Sequence, residues 1–135
     1  MNYYEISSLS HIYLEDSYVL DINEGENSLA FELEAVLTEK HSKYEKPRAG
    51  EYYCYRRASL RFSNFESLEW IERRFFSFSD ASGEIDYGNI DSFNYGEGWF
   101  LLSGDWGKVK IKGAGVELIS LISLSRRFKL RSVWN

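Results

Sequence analysis

Leu29-Ala30-Phe31-Glu32-Leu33-Glu34-Ala35-Val36-Leu37 sets an apolar residue at every odd position, with Glu32 and Glu34 between them. Successive side chains of a strand point to opposite faces, so a period of two predicts a β-strand with one buried and one wet face. Working outward, residues 52–62 repeat the pattern. Tyr52, Cys54, Ala58, Leu60 and Phe62 fall on one face, and Tyr53, Tyr55, Arg57, Ser59 and Arg61 on the other. Arg56 interrupts the inner face and needs a partner if it is buried. Lys108-Val109-Lys110-Ile111-Lys112 alternates too, with its lysines outward. Shorter candidate strands are 11–14, 18–22, 75–78, 90–95 and 99–103. The expected core contains Phe31, Leu33, Leu60, Phe62, Val109 and Ile111.

Between these segments lie turn sequences. Asn23-Glu24-Gly25-Glu26-Asn27, Gly96-Glu97-Gly98, Gly104-Asp105-Trp106-Gly107 and Gly113-Ala114-Gly115 all carry glycines that permit positive φ, as short hairpins need. About eight strands joined in this way predict a mainly β chain: a single-domain antiparallel β-sandwich or barrel over residues 1–135, with at most one or two short helices. One helix is expected over 63–73. Ser63 to Glu66 fits a capping box, Phe65, Leu68 and Ile71 have helical spacing, and Glu69 and Arg73 stand four apart. Leu68 and Trp70 also alternate, which leaves a strand open. Residues 116–122, apolar without a clean period, read as a last strand paired with the lysine strand through a loop at 113–115, with a helix as the alternative. Residues 38–50, polar and containing the only proline, Pro47, read as a loop.

A chain of 135 residues buries roughly 68–70% of its unfolded surface, enough for one core without disulfides or a structural metal. Cys54 is the only cysteine, so no internal disulfide can form. The first residues show no basic-then-apolar leader, and no apolar run is long enough to span a bilayer. The expectation is a cytoplasmic protein without membrane contact. Aromatic residues are 17% of the chain, which suits pleated, half-buried surfaces.

Charge is segregated along the chain. Residues 1–39 hold nine acids and no Lys or Arg, and residues 40–75 hold nine bases against five acids. Residues 76–107 hold six acids and no base, and residues 108–135 hold seven bases against one acid. With a net charge of -5, such a chain can present a strongly negative surface. That favours a basic protein partner and disfavours nucleic acid. The alternation of Tyr53, Tyr55, Arg57 and Arg61 resembles an RNA-stacking face, but these arginines more simply neutralise Glu32 and Glu34 on a neighbouring strand.

The densest run of oxygen donors is 80–91, with Asp80, Ser82, Glu84, Asp86 and Asp91. It departs from a calcium loop, since Gly83 is fourth rather than sixth and the twelfth residue is Asp91 rather than glutamate. An acidic, partner-facing turn is the functional reading, and a solvated turn the plain one. Trp99 and Trp106 flank Gly104-Asp105 and could stack on a sugar, although tryptophans more often fill a core. His11, His41 and Cys54 lack the spacing of a nucleophile–base pair or a transition-metal site. The two Gly-x-Gly turns lack the third glycine of a dinucleotide fingerprint. No catalytic residue, metal or cofactor is assigned.

The run 80–93, followed by Leu102-Ser103-Gly104-Asp105-Trp106-Gly107, resembles small bacterial immunity-type proteins and related domains. The resemblance implies an acidic, cytoplasmic, β-rich module that neutralises a toxin domain by binding it. It brings no catalytic residues. The expectation is therefore a non-enzymatic binding protein that occludes a basic partner, with Asp80, Glu84, Asp86, Tyr87, Asp91 and Trp99 as contact residues. A carbohydrate- or small-ligand-binding module is the alternative, and an enzyme of unknown class the third reading.

Overall fold

Alternation becomes sheet throughout the computed structural model, which describes residues 2–74, 77–79, 83–113 and 115–120. Two 3-10 turns, Tyr3–Glu5 and Ser7–Leu9, precede β1 (Ile12–Glu24), β2 (Ser28–Leu37), β3 (Cys54–Ser63) and β4 (Ser67–Arg73). A small ribbon follows, β5 (Phe78–Ser79) with β6 (Ile85–Asp86). The remaining strands are β7 (Ile90–Gly96), β8 (Trp99–Gly104), β9 (Gly107–Lys112) and β10 (Gly115–Ser120).

The chain is mainly β. Two four-stranded antiparallel sheets, ordered β1-β2-β3-β10 and β4-β9-β8-β7, pack face to face. Aromatic rings interdigitate between them, as the inner faces of a sandwich require. Phe31 of β2 lies 4.8 Å from the ring of Trp106, and Phe62 of β3 lies 5.2 Å from Phe100 of β8. Phe31, Leu33, Leu60, Phe62, Val109 and Ile111 are all fully buried, as their alternation predicts. Arg56 is buried too. Its guanidinium donates to a Glu45 carboxylate oxygen and to the Tyr55 carbonyl, both at 2.6 Å, which supplies the partners it needs.

Three expectations change. Residues 67–73 form β4 rather than a helix: Leu68 and Trp70 pack against the core, opposite Ile111 and Val109 of β9. The lysine strand needs a neighbour on each side, and period two wins over helical spacing once β9 offers that edge. Asn64 takes a left-handed φ of 57° in the turn where a helix cap was expected. The last strand does not pair with the lysine strand. With β4 and β8 on its two sides, β9 has no free edge, and β10 crosses to the other sheet to pair with β3. Tyr52, expected on the inner face of β3, lies before that strand and is 91% exposed. The candidates 11–14 and 18–22 are one strand, β1, interrupted by a bulge. Of the candidate 75–78, residues 75 and 76 lie outside the described residues. Among the described residues no helix is long and apolar enough to cross a membrane, which says nothing of a β-barrel.

Candidate functional site

The bulge in β1 determines how the first acidic stretch meets the second. Tyr13 pairs with Val36 and Tyr18 with Glu34, so residues 14–17 stand against the single residue Ala35. Ser17 closes this excursion. Its hydroxyl donates to the Tyr13 carbonyl at 2.6 Å and accepts from the buried Val36 N–H at 2.9 Å. A bulge re-aims the side chains it carries, and here Glu15 and Asp16 are left exposed.

Beside the bulge runs the loop 83–91. Tyr87 N–H donates to the Val19 carbonyl and Val19 N–H donates to the Gly88 carbonyl, both at 2.7 Å, stitching the loop to the edge of β1. Gly88 holds φ 87°, and a Cβ there would stand 2.5 Å from Asp105 Oδ2. Backbone conformation and the packed carboxylate both require glycine. Asn89 anchors the loop twice. Its Nδ2 donates to the Ser17 carbonyl at 2.6 Å, and its own carbonyl accepts from the buried Trp106 Nε1 at 3.1 Å. Asp86 Oδ1 accepts from Gly88 N–H at 2.8 Å, which fixes the turn from within.

Hydrogen bonds with Val19 and Ser17 therefore bring residues 87–89 of the second base-free stretch against the bulge of the first, which carries Glu15 and Asp16. Glu84 and Asp86 precede the contact in sequence, and Asp91 and Asp105 follow it. Asp91 and Asp105, both of the second stretch, are neighbours. Partial burial of Asp91, and then the Asp105 carboxylate, raise the Asp91 pKa above the ordinary aspartate value. Arg74 contacts the residues on either side of Asp105, its side chain donating to the Gly104 carbonyl at 3.3 Å and its backbone N–H to the Trp106 carbonyl at 3.0 Å, and it pairs with Glu72 at 3.1 Å.

The expected contact residues are thus only partly brought together. Glu84, Asp86 and Tyr87 lie in and beside β6 and Asp91 at the start of β7, with Tyr87 half-buried against the core. Asp80 lies outside the described residues. Trp99 stands apart at the opposite end of β8, paired with Lys112 and lining a shallow hollow with Lys110. Its indole lies over Gly96, where a Cβ would come 2.5 Å from Nε1. Trp106 is fully buried, so Trp99 and Trp106 form no common stacking platform. Glu32 accepts from the Ser59 hydroxyl at 2.9 Å, and Glu34 lies in register with Arg57.

Sequence reasoning missed a large concavity. A cleft of about 850 Å³ opens where the first 3-10 turn, the start of β1, the end of β2 and the 38–53 loop meet. Tyr3, Tyr4, Tyr13, Tyr44, Tyr52 and Tyr53 line it. The signal in the sequence was ten tyrosines placed mostly outside the apolar alternation, but nothing local showed that six of them converge. His11 and Cys54 also line this cleft. The buried thiol accepts from Glu45 N–H at 3.4 Å, and His41 Nδ1 accepts from Lys43 N–H at 3.1 Å. Partial burial, with His11 and Lys43 nearby, lowers the His41 pKa below the ordinary histidine value. Among the described residues no three His, Cys, Asp or Glu side chains converge as metal ligands.

Compared with protein-family models, curated proteins and solved structures, the chain matches none of them.

Proposed function

We propose that this chain is a non-enzymatic binding protein that occludes a basic protein partner, in the manner of the toxin-neutralising immunity proteins its turns resemble. The observation that carries this reading is the junction of two base-free stretches. Separated by the basic residues of 40–75, they are joined by hydrogen bonds between Val19 and residues 87–88 and by Asn89 to Ser17. A contiguous field of one sign accelerates association with an oppositely charged partner and rejects like-charged ones. The loop's anchorage on Trp106 holds these carboxylates on a rigid support, which limits the ordering cost of binding.

The test uses the product of the adjacent gene, the setting in which an immunity-type protein meets its toxin. Glu84→Gln, Asp86→Asn and Asp91→Asn together should leave thermal unfolding nearly unchanged and slow association about tenfold or more at low salt. Undiminished association would remove the electrostatic basis of the reading. Sugar-dependent chemical shifts at Trp99, with no protein partner, would favour the carbohydrate alternative.

A further inference from the structure

The tyrosine cleft is a large concavity that the junction of the two base-free stretches does not explain, and Glu15, carried on the β1 bulge, lines it. Four phenol rings at its rim are turned toward solvent: Tyr4, Tyr13 and Tyr53 are about half exposed, and Tyr52 is 91% exposed. Exposed tyrosines in such number are characteristic of recognition surfaces, because each supplies a broad apolar face at small entropic cost. Inside the cleft one carboxylate is fixed in place. The buried Tyr3 hydroxyl donates to Glu15 Oε1 while accepting from Leu14 N–H at 3.1 Å. Among the described residues no Lys, Arg or His lies within ion-pair distance of Glu15. Charge within the cleft is also unbalanced, since Glu15 and Glu39 line it against Lys40.

We propose that this cleft receives an arginine-bearing segment of the basic partner, with the guanidinium on Glu15 and its flat faces against the rim tyrosines. The proposal rests on the binding reading above and names what the partner inserts. A guanidinium is planar and weakly hydrated. It stacks on phenol rings and presents a fork of donors to a carboxylate, which a lysine ammonium does not. The cleft's volume lies within the range of sites that bury a small ligand and suits a few residues of extended chain rather than one side chain alone.

The experiment titrates the protein with the capped tripeptide Ac-Ala-Arg-Ala-amide and with its citrulline counterpart, which keeps shape and loses charge, while tyrosine ring resonances are followed by NMR. Saturable shifts at Tyr13, Tyr52 and Tyr53 are expected, with the citrulline peptide about threefold weaker or more. Glu15→Gln should weaken the arginine peptide to a similar degree. Tyr52→Ala should weaken it with no change in thermal midpoint, because that ring supports nothing in the fold. Equal binding of the two peptides, shifts confined to 83–91, or no saturable shift would each overturn the proposal. Shifts that depend on protein dilution alone would overturn it in favour of a second copy of the chain. Slowed association of the loop variants with the adjacent-gene product, beside a silent cleft, would sink this inference and leave the binding reading standing. The reverse pattern would sink the charge-steered reading.

Discussion

Leu60 shows how much one side chain carries in this sandwich. It is fully buried on β3, opposite Phe31 of β2 and in register with Leu118 of β10. Truncation leaves a cavity in the centre of one sheet, so Leu60→Ala should cost about 2–5 kcal/mol in urea unfolding. Tyr55 gives the corresponding prediction for pH. Burial first, then its neighbours Tyr18 and Tyr53 and the carboxylates of Asp16 and Glu51, push its phenol up to about 12. The fold thus favours the neutral phenol. Its contribution is fully present below the ordinary value of 10.0 and is lost as pH rises from there toward about 12. Wild-type stability should accordingly fall between about pH 9 and about pH 11.5, and Tyr55→Phe should fall less. Urea midpoints of the two proteins at both pH values check this, and parallel losses would contradict it.

The bulge in β1 is an element whose cost is set by one hydroxyl. Ser17 satisfies the buried Val36 N–H where the ladder between β1 and β2 is interrupted. Ser17→Ala leaves that donor without its partner and should cost about 1–3 kcal/mol. Hydrogen exchange should show Val36 losing protection more than its neighbours in β2. Legibility in the sequence follows the same line between local and non-local causes. Residues 29–37, 54–62 and 108–112 alternate and each is a strand, but the pattern marked only the inner face well: Arg56 interrupts it in β3, and on the face expected to be wet Ala30, Glu34, Val36 and Ser59 are buried. Residues 67–73 satisfy both helical and strand spacing, and the edge of β9 decided between them. The same edge, already filled, sent β10 to the other sheet. Strand order was not legible, because no residue in 113–115 records which of two sheets has room.

At the scale of the molecule, the junction of the two base-free stretches is a product of topology. The charge tallies of 1–39 and 76–107 were plain in the sequence, and the pairing that sets them side by side was not, because it runs through backbone groups of Val19, Tyr87 and Gly88. The tyrosine cleft was invisible for a similar reason. Its lining comes from segments as distant as Tyr3 and Tyr53, and no periodicity joins them. Trp99 and the acidic loop are separated by the length of β8, a distance that the sequence did not show. The central claim is that both stretches act as one field, and the kinetics of association test it most directly. Stopped-flow association with the adjacent-gene product would compare three variants at low and high salt. One carries Glu15→Gln and Asp16→Asn, one carries Glu84→Gln, Asp86→Asn and Asp91→Asn, and a control carries Glu26→Gln and Glu97→Gln in exposed turns elsewhere. The first two sets should each slow association and flatten its salt dependence, jointly more than singly, while the control changes it little. Equal slowing by the control would mean that net charge alone steers the encounter, and would contradict a recognition surface built by the fold.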